Sequence, residues 1–138
     1  INMIEKTSMS KTYKLPTILA FIKNGRLELK INDDDLYESF NDFYSHGSNA
    51  VDLLRDKNSQ TFKEWGKAEY VKLARKNPVH FLCQSESEFF SSDEQFMYLT
   101  NSLAPYQENL LFIQHIKDAI ELRKQEFYKN RLEKLESK

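Results

Sequence analysis

Residues 59–100, SQTFKEWGKAEYVKLARKNPVHFLCQSESEFFSSDEQFMYLT, decide how the fold is read. Ser59 and Thr61 are candidate N-caps, because a short hydroxyl accepts from the free N–H groups of a first helical turn. Glu64 stands three residues after Thr61, the spacing of a capping box. Gly66 weakens the middle, which suggests two helical segments, 61–65 and 67–77. Asn77-Pro78 is expected to end the run, since proline disfavours helical geometry in the residue before it. A short extension should follow Pro78. Phe89-Phe90 and Phe96-Met97-Tyr98-Leu99 are then strand-forming runs on either side of the polar tip Ser91–Gln95. Two short strands are not stable alone in water, so this hairpin must pack on helices.

Helix 67–76 has two faces when its residues are spaced at about 100° each. Tyr70, Val71, Leu73 and Ala74 make an apolar side, while Lys72, Arg75 and Lys76 make a basic one, with Glu69 the acid near them. A helix that docks on a core and turns cations outward has the footprint of a phosphate-contacting element. The residues expected to contact DNA are therefore Lys67, Lys72, Arg75 and Lys76, assisted by Arg55, Lys57 and Lys63. The plainer reading is a solvated surface helix. The wing tip, with Asp93 and Glu94, is acidic and a poor phosphate ligand.

Upstream, residues 1–9 read as a tether. Ser10 or Thr12 caps a first helix, with Pro16 in its first turn and Leu15, Ile18, Leu19 and Ile22 on its core side. Asn24-Gly25 stops it, glycine being free to adopt the left-handed conformation. RLELKI (26–31) alternates as a half-buried strand, with Leu27, Leu29 and Ile31 on one face. Asn32 or Asp33 starts a second helix, where Asp33, Asp34 and Asp35 suit the positive N-terminal end. Leu36, Phe40 and Phe43 face its core, with Tyr37 and Tyr44 beside them. Residues 48–60 hold Val51, Leu53 and Leu54 among polar neighbours, as in a turn of helix or an ordered loop. Beyond Ala104-Pro105 a long helix runs from about 106 to 135. Its stripe of Ile113, Ile116, Ile120 and Phe127 is interrupted by Arg123. Residues 10–103 thus read as one winged-helix-like domain, mainly α with a small β component. Residues 104–138 are a C-terminal helix packed on it, whose end is free to project or to join a partner. The order helix, strand, helix, helix, strand, strand is that of a winged helix-turn-helix.

A chain of 138 residues suffices for one domain with a core. Its 20 Lys and Arg against 21 Asp and Glu argue against a globally basic nucleic-acid binder, so contact with DNA must be local. The single cysteine, Cys83, excludes an internal disulfide and suits a reducing, cytoplasmic setting. No membrane span or signal peptide is expected, and the start at Ile1 reads as a piece of something longer.

Catalytic chemistry is not evident. With Gly25, Gly47 and Gly66 as the glycines, there is no phosphate-binding loop and so no P-loop motor in this chain. His46, His80 and His115 with one cysteine give no zinc spacing, and no metal or cofactor is expected. His80 and Cys83, three apart, are conceivable as a base and nucleophile; as part of the apolar run PVHFLC, the cysteine is better read as a small core hydrophobe. Asp33–Asp35 as a cation site is less favoured than a solvated helix start, since no calcium-loop pattern follows. Trp65 is read as a core or groove residue, able to stack on a partner, with core the default.

SKTYKLPTILAFI, DDLYESFNDFY, LARKNPVHFL and the pair of strands in FFSSDEQFMYL resemble a C-terminal region that lies beyond the motor core in bacterial DEAD/DEAH-box helicases, many of restriction or defence type. Lys11, Thr12, Tyr13, Lys14, Leu15, Leu19 and Ala20 carry the likeness, which spans roughly residues 10–100. The resemblance implies a non-catalytic accessory role near DNA, with ATP hydrolysis or nuclease activity elsewhere in a parent chain. Its partners would be DNA and the parent's motor or nuclease domains. The alternative is a protein-docking or oligomerisation domain that acts through aromatic surface or the C-terminal helix.

Overall fold

The computed structural model describes residues 2–7, 12–45 and 66–136. Among them the chain is mainly helical with two small antiparallel sheets. The expectations for Arg55, Lys57, Lys63, Trp65, the 48–60 segment and the cap at Thr61 lie outside the described residues.

Helix α1 spans Asn2–Lys6, within the stretch expected to be a tether. Ile4 is 3% exposed and belongs to the core. Helix α2, Lys14–Leu19, buries Leu15 and Ile18. It ends sooner than its apolar pattern suggests, because Ile22–Lys23 (β1) pairs antiparallel with Arg26–Leu27 (β2). Asn24 and Gly25 between them both have positive φ, 55° and 73°. That is the left-handed pair a two-residue hairpin with right-twisted strands requires. Asn24-Gly25 therefore turns a hairpin rather than capping a helix.

The expected strand 26–31 is split. β2 ends at Leu27, and Lys30–Asn32 (β3) joins a different sheet of order β3-β5-β4, with Phe90–Ser92 as β4 and Phe96–Leu99 as β5. Ile31 pairs with Met97 and Phe90 with Leu99, which lines up one inward face; Ile31, Met97 and Phe90 are buried. Phe96 and Tyr98 take the other face, where the Lys30 ammonium sits 3.9 Å from the centre of the Phe96 ring.

Helix α3, Asp33–Tyr44, follows β3 directly. Asn32 is its N-cap: the Asn32 side chain accepts from the Asp35 N–H, and the Asp35 carboxylate accepts from the Asn32 N–H, both at 3.0 Å. Leu36, Phe40, Phe43 and Tyr44 are buried as their spacing predicts. Each such side chain contributes roughly 1.5–3 kcal/mol by leaving water. Tyr70 of the next helix packs on Phe40 and Tyr37 at ring distances of 6.4 and 6.0 Å.

That next helix corrects the sequence reading most. Helix α4 begins at Lys67 as expected, with Gly66 as N-cap donating to Glu69 at 2.9 Å. It does not stop at Asn77. Residues Lys67–Ala74 run into a π-turn, Arg75–Val79, and on into α5, His80–Ser85. Pro78 lies inside the π-turn. The wider turn relieves the clash between a proline ring and the carbonyl four residues back, and proline's missing N–H falls where the ladder is already irregular. Burial of Pro78, Val79 and Leu82 stabilises the continuation.

A 3-10 turn over Asn101–Tyr106 contains Pro105 and leads to α6, Leu110–Glu136. Ile113, Ile116, Ala119 and Ile120 are buried against the domain. Arg123 interrupts the apolar stripe for a structural reason. Its guanidinium donates to the carbonyls of Ile4, Glu5 and Thr7 at 3.1, 2.6 and 2.7 Å, closing the C-terminal end of α1. Thr7 in turn accepts from the buried Lys14 ammonium at 3.0 Å, and burial pushes that lysine's pKa down.

Candidate nucleic-acid interface

The expected phosphate contacts separate into two groups once the helix is placed. Arg75 starts the π-turn and points back into the protein. Its Nε donates to the Asp33 carboxylate at 2.9 Å, and Nη1 donates to the carbonyl of Asp93 at 3.0 Å. Nη2 lies 2.8 Å from the same Asp33 oxygen but off the hydrogen-bond line, so it adds charge attraction rather than a second bond. Arg75 thus ties the start of α3 to the tip of the β4–β5 hairpin. Lys67 is ion-paired with Asp34, which holds its ammonium pKa up through that hydrogen bond.

The aspartate run is used up in this way. Asp33 holds Arg75, Asp34 holds Lys67, and Asp35 holds Lys23 at 2.6 Å while capping its own helix. Each acid joins α3 to a different element. Among the described residues no cluster of ligating side chains could hold a metal ion.

Lys72 and Lys76 remain exposed, and His80, Phe81 and Gln84 are exposed beyond the π-turn. Neither lysine forms an ion pair among the described residues, so both ammonium groups are available to a phosphate. Lys72 and Lys76 are one turn apart on the helix, about 6 Å along its axis. Behind them Tyr70, Ala74, Val79 and Leu82 are sealed in the core.

The π-turn has a consequence at Phe81. In an unbroken α-helix, positions seven apart share a face, so Phe81 would fall beneath Ala74 in the buried stripe. The extra residue in the wide turn gives that place to Leu82, which is 0% exposed, and Phe81 emerges 44% exposed. The His80 ring stands edge-on to it with centroids 5.2 Å apart. Periodicity alone could not find this pair, because it assumes an unbroken helix or a stop at the proline.

The hairpin tip is acidic and hydrogen-bonded within itself. Asp93 accepts from the N–H groups of Gln95 and Phe96 at 2.9 and 2.7 Å and from the Tyr98 hydroxyl at 2.6 Å. The Tyr98 bond first, then the two backbone bonds, hold the Asp93 carboxyl below the usual carboxylate range. The tip stays anionic and is turned to structure rather than to phosphate. Cys83 is half-buried and its thiol donates to the Ser92 hydroxyl at 3.5 Å, while His80 is exposed and stands against Phe81.

Two other surfaces are notable. A groove of about 360 Å³ is lined by Lys23, Asp35, Glu38, Ser39, Asp42 and Lys117 among others, with charges of both signs. Along α6, Leu110, Leu111 and Leu122 are 71, 70 and 51% exposed, with Tyr106 nearby in sequence at 42%. No helix among the described residues is long and apolar enough to cross a membrane. A scan of family models and searches of curated proteins and of solved structures found no match to the chain.

Proposed function

We propose that this chain is a non-catalytic accessory domain of winged-helix type that helps a larger DNA-processing protein of the helicase or nuclease kind to engage DNA. The observation that carries the reading is the division of helix 67–85 into a sealed face and an outward face bearing Lys72 and Lys76. The layout around it agrees with that role: a helix packed across α3, then a hairpin whose second strand pairs with β3 in the order β3-β5-β4. Phosphates are the natural ligands for two exposed ammonium groups one turn apart, and they supply affinity without reading sequence. ATP hydrolysis would belong to a parent chain, because this one carries no phosphate-binding loop.

The test is duplex binding by fluorescence anisotropy as salt is varied, with wild type and the pair Lys72→Glu, Lys76→Glu. Loss of two phosphate contacts should lower the slope of log affinity against log salt by about 2. Binding that is absent, or that the double variant leaves intact, refutes the proposal. Arg75 does not belong in that variant, since its reversal would place a carboxylate against Asp33.

A second reading rests on the exposed leucines of α6. Leu111 and Leu122 stand eleven residues apart on its outward side, where a partner helix or the parent's own domains would find an apolar stripe. Leu111→Ser with Leu122→Ser should abolish an oligomer seen by light scattering; a monomeric wild type removes support for self-association there.

A further inference from the structure

We propose that Phe81, braced by His80, is a stacking platform for an unpaired base, so that the preferred ligand is DNA in which a duplex opens into a single strand. The inference rests on the DNA reading above and names the form of DNA. Among the described residues, Phe81 is the large exposed hydrophobic side chain of helix 67–85; the others all lie between residues 106 and 122. A surface phenylalanine alone means little. Here, however, a π-turn containing a proline moves it out of the buried stripe, and irregular turns of this kind recur at functional sites.

Its surroundings define the ligand. Lys76 and Lys72 lie about one and two turns before it on the same helix and supply cations for a backbone. The neighbouring imidazole, 5.2 Å away and tilted by 70°, packs edge-on and restricts the phenyl ring. Exposed aromatic surface beside cations is the combination by which single strands are held. Every base has a π-face, whereas a base inside a duplex offers none to a side chain on the surface. The exposed Glu88, beyond α5, disfavours phosphates past that end of the helix. The strand would thus run from Phe81 toward the two lysines.

The experiment uses the full chain and two labelled probes: a blunt duplex, and the same duplex with a single-stranded oligo-dT tail. Wild type should bind the tailed probe about tenfold more tightly, the contribution of roughly one stacked base. Phe81→Ala should erase that difference while leaving blunt-duplex affinity and its salt slope unchanged; Phe81→Trp should keep it. Phe81→Leu should also erase it, because a leucine retains apolar bulk but cannot stack. Circular dichroism and thermal melts on each variant establish that an exposed site was changed without unfolding. Equal affinity for the two probes, or a preference that survives in the alanine or leucine variant, overturns the stacking platform and leaves duplex engagement standing. If neither probe binds in a salt-sensitive way, both proposals are refuted.

Discussion

Arg75 gives the sharpest test of whether a cation on helix 67–85 serves the fold or a ligand. Its side chain is 21% exposed and its partner Asp33 37% exposed, so the pair is screened but not fully solvated. An ion pair in such a setting contributes up to about 1 kcal/mol, and a charged donor on a backbone carbonyl about 1 kcal/mol more. Arg75→Ala should therefore cost about 2 kcal/mol, and Arg75→Lys about half of that, because an ammonium cannot reach Asp33 and the Asp93 carbonyl with one planar fork. In urea the alanine variant's midpoint should fall by about 1 M, taking a slope of about 2 kcal/mol per molar for a chain of this size. A double-mutant cycle with Asp33→Ala should return a coupling of about 1 kcal/mol. Under conditions where the variant remains folded, its duplex affinity should stay within about twofold of wild type, with an unchanged salt slope. The reasoning is refuted by the opposite pattern: a urea midpoint that does not move, together with a salt slope reduced by about 1.

Two further predictions concern the ends of the structure. Because Asp93 is held below the usual carboxylate range by Tyr98 and two backbone N–H groups, the folded state binds its proton less readily than the unfolded chain does. Its contribution to hairpin stability is complete above the unfolded value of about 3.9 and is lost as pH falls through the lower folded value. Amide hydrogen-exchange or chemical-shift titration of Gln95 and Phe96 should show the tip loosening in acid, and Asp93→Ala should remove that acid transition; a transition that persists in the variant assigns it elsewhere. At the other end, Arg123→Ala should release α1 without unfolding the domain, since a five-residue helix has little stability of its own. Hydrogen exchange should speed up over residues 2–7 while the amides of α3 keep their protection. Equal loss in both regions would mean that Arg123 supports the whole core rather than clasping α1.

What could be read directly from the residues was local. Asn32 with Asp35 three positions on specifies a helix start wherever that segment lies, and Leu36, Phe40 and Phe43 mark its inward face by spacing alone. Phe90 and the Phe96–Leu99 run were legible as strands, and the long C-terminal helix by its isoleucines, because one element's backbone preference and one face of burial suffice for each. Asn24-Gly25 reads as a helix stop from its position after an apolar helix pattern, and its hairpin role emerges only with the pairing of the flanking strands. Among the candidate contacts, Lys72 and Lys76 could be assigned to the outward face from the helix wheel.

The tertiary structure decided the rest, wherever a side chain's role depends on a neighbour distant in sequence. Arg75 is 42 residues from the Asp33 it holds, and Arg123 is 119 from the Ile4 carbonyl it caps. No periodicity distinguishes such a clasp from a solvated cation. Pro78 poses the same problem in the backbone. Its lost hydrogen bond is a local cost that any sequence rule counts, while the burial of Val79 and Leu82 that offsets it exists only in the assembled core. Charge and periodicity place a residue on a helix; which side of a cation or a ring meets water is set by what the fold packs against it.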